Sequence, residues 1–229
     1  ASYASAYTTS SIRSESINWN QKSNKKSIKA LLVNTKNANT FTGSQGLESL
    51  DVIAKKLSKF LTLKESKSES GINETVKIKD ILFASTGVIG EKFPVKKIED
   101  SIENLVSKLK KDHNKLVWLK AASSIMTTDT KPKLAYEEIN SGSKTIKIAG
   151  IAKGSGMIAP NLATMLSFIF TDADIPSNIL KSALKKALAN SFNAITVDND
   201  QSTNDMVTIF STGVKKIGQN RGSEDPLIK

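Results

Sequence analysis

Along the chain the spacing of apolar residues switches repeatedly between the period of a strand and that of a helix. The segment 27–33, with Ile28, Leu31, Leu32 and Val33, reads as a strand ending in the polar turn 34–40. Leu47, Leu50, Ile53, Leu57 and Leu61 then recur at spacings of three and four, one face of an amphipathic helix, before the polar run 64–73, read as an exposed loop. Val76, Ile78, Ile81, Leu82 and Phe83 predict a second strand, stopped by Ser85-Thr86-Gly87-Val88-Ile89-Gly90. Pro94 opens a helix whose inner face is Ile98, Ile102, Leu105 and Leu109. The segment 116–126 is consistent with helix or strand and runs into the hydroxyl cluster Thr127-Thr128-Asp129-Thr130.

The alternation in 145–151 predicts a strand that delivers the chain to Lys153, and 165–170 is another apolar strand. Asp174 as cap and Pro176 as first residue predict a helix buried along Ile179, Leu180, Ala183, Leu184, Ala187 and Leu188. Ile195-Thr196-Val197 leads through Asp198-Asn199-Asp200 to Ser202-Thr203-Asn204-Asp205 and a strand over 206–210. Strands and helices alternate throughout, so the fold class is α/β.

Composition narrows the chemistry. With 229 residues the chain can bury one large core or two small ones. The absence of Cys excludes disulfides and thiolate metal sites. No apolar run is long enough to span a bilayer, and the polar start has neither the basic head nor the apolar middle of a signal peptide, so the expectation is a soluble, cytoplasmic protein. The lack of an initiator Met and the strand-like opening are read as a chain without its true beginning.

The net charge of +11 raises a nucleic-acid partner as an alternative. Only Arg13 and Arg221 are arginines, however, and the lysines are scattered singly or in pairs such as Lys25-Lys26, Lys55-Lys56, Lys110-Lys111 and Lys185-Lys186. Phosphate and base readers lean on the planar Arg fork, so a solvated lysine surface is the expectation, with no nucleic-acid or membrane partner.

His113, the only histidine, sits in a charged helix end and reads as a solvated residue. A general base must therefore be an amine, a carboxylate or water. That draws attention to Lys153-Gly154-Ser155-Gly156-Met157-Ile158-Ala159-Pro160-Asn161-Leu162-Ala163-Thr164-Met165-Leu166, which places a Thr between a Gly/Pro-punctuated turn and an apolar strand. A Thr hydroxyl gains nucleophilicity when the preceding peptide bond is cut and its own α-amine takes the hydroxyl proton. Taken locally, Thr164 is either such a nucleophile or an ordinary strand-opening residue.

Other positions carry similar pairs of readings. Ser85-Thr86-Gly87 either aims backbone N–H groups at a developing oxyanion or is a turn that needs Gly for its backbone angles. Lys153 either binds a substrate carboxylate or lies on the surface. Asp198-x-Asp200 with 202–205 suggests a divalent cation, but the loop lacks the spacing and closing Glu of a calcium loop, which favours a hydrogen-bonded turn.

Together, Ser85-Thr86-Gly87-Val88-Ile89-Gly90-Glu91, Met126-Thr127-Thr128-Asp129-Thr130, the 153–166 element and 198–205 occur in the order and spacing of one family. The chain resembles the ornithine acetyltransferases, also called glutamate N-acetyltransferases, of the acetyl cycle of arginine biosynthesis. Asn34-Thr35-Lys36-Asn37-Ala38-Asn39 with Thr42-Gly43 matches that family's Asn-Ser-Gly-Asn-Ala-Asn…Thr-Gly stretch. The resemblance covers essentially the whole chain.

It implies an α/β sandwich of the ornithine acetyltransferase type and a precursor that cuts itself between Ala163 and Thr164. Residues 1–163 then form the α-chain region and 164–229 the start of the β-chain region, and two α and two β chains assemble. By resemblance Thr164 is the nucleophile, Thr86 and Gly87 form the oxyanion hole, and Thr127, Lys153 and Thr164 bind substrate. The implied reaction is a ping-pong transfer of acetyl from N-acetylornithine to glutamate, with acetyl-CoA as a donor in some members and no metal or organic cofactor.

The chain departs from the family pattern in places. Lys36 stands where Gly is usual, and Asn199 where Asp-Gly-Asp is typical, although Asn tolerates a left-handed backbone better than Lys does. The family's downstream substrate-binding glutamate and its C-terminal Asn-containing segment have no counterpart before Lys229. Two competing readings follow: an N-terminal-Thr aminopeptidase or amidase, with water as acceptor, and an inactive fragment of the family.

Overall fold

The stripe Leu50, Ile53 and Leu57 organises Arg13–Asn114, one of two compact units in the chain. The computed structural model of the protein describes residues 1–22, 27–66, 75–109, 114–141, 144–157 and 165–216. In this unit α2 (Gly43–Ser66) packs on α3 (Val95–Ser107) and on a parallel pair, β2 (Ala30–Asn34) and β3 (Ile81–Ser85). The predicted strand around Val76 starts later than expected. Lys77 N–H donates to Asp80 Oδ2 at 3.0 Å and Asp80 N–H to the Lys77 carbonyl at 2.9 Å, which winds Ile78–Asp80 into a 3-10 turn and leaves only Ile81–Ser85 extended.

The predicted inner face of α3 is rotated. Ile102 and Val106 are buried and Ile98 packs against them, whereas Leu105 and Leu109 are 50% and 55% exposed. The α2 helix fixes this rotation: Lys64 Nζ at its end donates to the Val106 and Leu109 carbonyls at 2.8 and 2.6 Å, drawing the Val106 side toward α2. Residues 64–66 are helical and 67–74 lie outside the described residues.

The free edge of β3 is covered by α1 (Glu15–Lys22), a helix without a clear apolar period in the sequence. Asn20 supplies what a neighbouring strand would supply. Its Nδ2 donates to the Phe83 carbonyl at 2.7 Å and its Oδ1 accepts from the Phe83 N–H at 3.0 Å, while Trp19 packs edge-on against the Phe83 ring.

Ala1–Ile12 and Lys115–Lys229 form the other unit. Its sheet has the order β1-β7-β6-β5-β4, built from β1 (Ser2–Tyr7), β4 (Lys133–Ser141), β5 (Lys144–Lys153), β6 (Leu166–Ala173) and β7 (Met206–Lys215). The β6 and β7 strands are parallel and joined through α5 (Ser177–Ala189), and the remaining pairs are antiparallel. Leu180, Leu184 and Leu188 of α5 pack with Ala4, Met165 and Val207 on one face. On the other face Trp118 of α4 (Lys115–Ser124) meets Phe170 at 5.2 Å between ring centroids, and Phe170 stacks on Phe210 at 5.0 Å. Helices on both faces of one sheet make the expected α/β sandwich.

The ambiguous segment 116–126 is thus helical. Asp174 is not the cap of α5 and Pro176 is not its first residue: Pro176, extended, is the N-cap residue without a side-chain cap bond and the helix starts at Ser177, while the Asp174 carboxylate pairs with Lys216 Nζ at 2.6 Å. Ile195 and Val197 lie exposed outside any strand.

Lys36 adopts φ +73 and Asn199 φ +61, the left-handed backbone inferred for the positions where the family carries Gly. For a lysine this conformation is costly. Lys36→Gly is expected to stabilise the fold by about 1 kcal/mol, read as a higher urea midpoint at unchanged slope.

Candidate active site

The most unusual side chain in the sheet is Lys153, the last residue of β5 and only 3% exposed. Its pairing with Leu166 puts it at the end of β5 that adjoins the start of β6. Lys153 Nζ donates to Thr127 Oγ1 at 3.1 Å, so the structure brings together two of the sequence-predicted site residues. Burial pulls the Lys153 pKa below the ordinary lysine value, opposed by the charges of Asp129 and Asp205.

Asp129 holds this arrangement in place. Its carboxylate accepts from Gly154 N–H at 2.8 Å and Thr127 N–H at 3.4 Å, and pairs with Lys133 Nζ. Burial acts to raise its pKa, but Lys133 and the two N–H groups outweigh burial and keep it below the usual carboxylate range. One carboxylate thereby ties the turn that carries Thr127 to the residue after Lys153. Thr128 and Ser155 add a hydroxyl pair at 2.6 Å beside it.

Asp205 lies just before β7 and is fully buried. Its Oδ1 accepts from Met165 N–H at 2.6 Å, and its Oδ2 has no hydrogen-bond partner among the described residues. Burial pushes its pKa up to about 7, only partly offset by the Met165 N–H, the Ser202 side chain and the charge of Lys153. The Ser202 hydroxyl falls short of hydrogen-bond geometry there, so the unpaired oxygen is the better description of Oδ2.

This raised pKa has a consequence for stability. The folded state holds a proton that the unfolded chain, with an Asp near its ordinary value of about 3.9, releases. The contribution is therefore neutral below about pH 4, falls as pH rises toward 7, and is flat above, a loss of about 4 kcal/mol in all. In a Thr164→Ala background, the stability of Asp205→Asn relative to its parent is expected to rise by this order between pH 4 and pH 8. Urea denaturation at the two pH values measures it.

In the other unit, Thr86 and Gly87 follow β3. Thr86 is buried, and its N–H donates to the Asn34 carbonyl at 3.0 Å, while that of Val88 donates to the Lys36 carbonyl at 3.2 Å. Among the described residues the Gly87 N–H is the one left out of this ladder, so an oxyanion could draw on the Gly87 N–H but not on that of Thr86. Gly87 has φ +134, and a Cβ there would lie 2.2 Å from the Lys36 carbonyl carbon. The turn requires Gly on both counts.

Ala163 and Thr164 lie outside the described residues, as do His113, Arg221, Lys25-Lys26 and Lys110-Lys111. The 198–200 segment is a hydrogen-bonded turn: Asp198 accepts from Met157 N–H, and from Asp200 N–H at 3.3 Å. Among the described residues no helix is long and apolar enough to cross a membrane. Asp129 received no role from the sequence and Asp205 only a share in the cation reading of 198–205, because nothing local distinguishes a buried Asp in a polar run from a solvated one.

A buried ammonium beside a hydroxyl, held by a carboxylate at the end of a strand in an α/β sandwich, suits a small anionic ligand. A model described as the ArgJ family matches residues 1–226, and the chain belongs to that family. The arginine biosynthesis bifunctional protein ArgJ of Bartonella quintana is 45% identical over 188 residues, which cover 82% of this chain and 42% of the relative. A glutamate N-acetyltransferase of Methanothermobacter thermautotrophicus is 45% identical over 188 residues, covering 81% of this chain and 43% of that protein. The crystal structure of arginine biosynthesis bifunctional protein ArgJ from Bacillus halodurans superposes with a TM-score of 0.57 at 27% identity, over 71% of this chain and 75% of that one. The chain thus spans less than half the length of the curated relatives it matches.

Proposed function

We propose that the full-length protein transfers an acetyl group from N-acetylornithine to glutamate, within arginine biosynthesis, after cutting its own chain between Ala163 and Thr164. Thr164 Oγ1 attacks the acetyl carbonyl carbon, and its proton passes to the α-amine freed by the cut. That amine, with a reference pKa of about 7.7–8.0, returns the proton to the departing nitrogen of ornithine. The amine of glutamate then attacks the acetyl ester and Oγ1 regains a proton. The Gly87 N–H, together with the hydroxyl rather than the N–H of Thr86, stabilises the oxyanion, Lys153 and Thr127 bind the substrate, and the steps use no cofactor.

Membership of the ArgJ family together with the buried Lys153–Thr127 pair is the observation that carries this reading. The division into an α region, 1–163, and a β region, 164–229, is covalent rather than architectural. Strands β5 and β6, on either side of it, are hydrogen-bonded from Lys153↔Leu166 onward, and β7 pairs with β1. The cut chains accordingly stay together, with two α and two β chains as the proposed assembly. Acetyl-CoA as a further donor is part of the same reading, by analogy with the bifunctional relative.

The test is to supply the purified full-length protein with N-acetylornithine and isotopically labelled glutamate and to follow labelled acetylglutamate and the mass of the chain that begins at Thr164. Acetylglutamate and an acetylated chain are the expected products. Acetate without acetylglutamate would make the enzyme an amidase, and an uncut, folded protein with no product would make it an inactive relative.

A further inference from the structure

The turn that carries Gly87 takes its shape from the loop that faces it. Thr86, Val88 and Gly90 N–H donate to the Asn34, Lys36 and Thr40 carbonyls at 3.0, 3.2 and 3.0 Å, and Ala38 N–H donates to the Val88 carbonyl at 2.9 Å. Each of these bonds joins the turn to the segment 34–40. The Gly87 N–H, outside the ladder, has the direction that this segment imposes on the peptide planes around it.

The facing loop is itself strained. Lys36, Asn39 and Phe41 have φ of +73, +50 and +58, left-handed values that cost energy for residues with a Cβ, and the Phe41 ring is 65% exposed, so burial offsets little of it. Such backbone persists only where its neighbours over-determine it. Asn37, in the middle of the loop and 6% exposed, uses both ends of its side chain for this. Its Oδ1 accepts from Asn39 N–H at 2.9 Å, and its Nδ2 reaches across to the Glu91 and Lys92 carbonyls at 3.3 and 3.2 Å. Its own carbonyl accepts from Asn34 Nδ2 at 2.7 Å, and Asn34 is paired with Ser85 where β2 and β3 end. The backbone of Asn37 therefore bridges to Thr86 and Val88 at the start of the turn while its side chain holds the end.

We infer that Asn37 is the positioning residue of the Gly87 N–H: its side-chain amide clamps residues 91 and 92, closing the turn so that this donor stays aimed at the developing oxyanion. The inference rests on the proposed acetyl transfer and on the oxyanion role of Gly87 within it, and adds the group that fixes the donor. Asn37 acts through Gly87 and not on the substrate.

The experiment compares full-length wild type with Asn37→Ser, each checked by thermal melting and by intact mass. Serine keeps an oxygen for the N–H two residues on, as Ser10 does for Ile12 at 3.2 Å and Ser202 for Asn204 at 3.1 Å, but is too short to reach the Glu91 and Lys92 carbonyls. The expected result is a folded variant whose kcat for acetyl transfer, counted per cut molecule, falls roughly 30-fold at nearly unchanged KM for N-acetylornithine, short of the loss expected when Gly87 itself is changed. A residue that served stability alone would lower the amount of folded enzyme and leave kcat per cut molecule intact. Wild-type kcat in folded, cut Asn37→Ser, or a raised KM at unchanged kcat, would overturn the inference and leave the acetyl-transfer reading standing. A folded wild type that forms no acetylglutamate would overturn both.

Should Asn37→Ser fail to fold or to cut, hydrogen exchange in the wild type decides. The Asn37 side-chain NH2 is expected to exchange with solvent as slowly as the Val88 and Gly90 amides of the turn it clamps. An NH2 that exchanges like a solvated amide while those two stay protected rules the clamp out.

Discussion

Full-length Thr164→Ala is expected to remain a single uncut chain and to lose acetyl transfer by about four orders of magnitude or more. Two losses coincide in this one substitution. The methyl group has no oxygen to attack the Ala163 carbonyl, so the α-amine is never released, and no oxygen remains to carry the acetyl group. The single histidine leaves no conventional imidazole base to compensate, since His113 would have to serve alone. The fold is expected to persist, because β6 is paired on both edges, by β5 and β7, from Leu166 onward, and those pairings do not involve the hydroxyl. Intact mass and a melting curve together check the result. A Thr164→Ala protein that still forms labelled acetylglutamate rules out the acetyl-threonine intermediate.

Gly87→Ala is expected to be the most damaging small substitution in the unit 13–114, lowering stability by roughly 3–5 kcal/mol. The backbone at φ +134 is a region that residues with a Cβ rarely enter, and the added carbon would sit 2.2 Å from the Lys36 carbonyl carbon and 2.5 Å from the Asn37 nitrogen. Those neighbours are backbone and cannot swing aside. Asn37 bridges both Thr86 and Val88, and its Nδ2 reaches the Glu91 and Lys92 carbonyls at 3.3 and 3.2 Å, so relief at one point strains the next. Fluorescence-detected urea unfolding measures the loss. In any folded remainder, kcat for acetyl transfer is expected to drop about 100-fold as the Gly87 N–H moves off line, the size found when one oxyanion donor is removed. A Gly87→Ala protein of wild-type stability and rate would separate this turn from the reaction.

How much could be read in advance depended on how far each signal was local. The α2 stripe of Leu50, Ile53 and Leu57, the α5 stripe of Leu180, Leu184 and Leu188, and the apolar core of β6 were legible because burial of a regular element imposes its period on the sequence. The 153–166 element, Thr86-Gly87 and the left-handed Lys36 and Asn199 were legible through resemblance to one family. Two elements carried no such imprint. The outer strand β4 is largely exposed, so Tyr136-Glu137-Glu138 shows no alternation, and α1 is held to β3 by Ser16, Trp19 and Asn20 hydrogen bonds rather than by an apolar face. The face of α3 went astray because Ile102 is compatible with either Leu105 or Val106 as its neighbour, and only contact with α2 selects between them.

Taken by itself, the sequence established an alternating α/β chain of a recognisable family and its main helical faces, and it marked candidate residues for the chemistry, since residue types, spacing and turn punctuation are properties of the chain in order. Tertiary structure alone decided that Lys153 is buried against Thr127, that Asp129 locks that pair, that Asp205 reaches across to Met165, and that β6 lies parallel to β7 in one sheet with β5. Each of these joins residues far apart in the chain, and the burial that makes an ammonium or a carboxyl chemically distinctive is set by the neighbours that folding brings in.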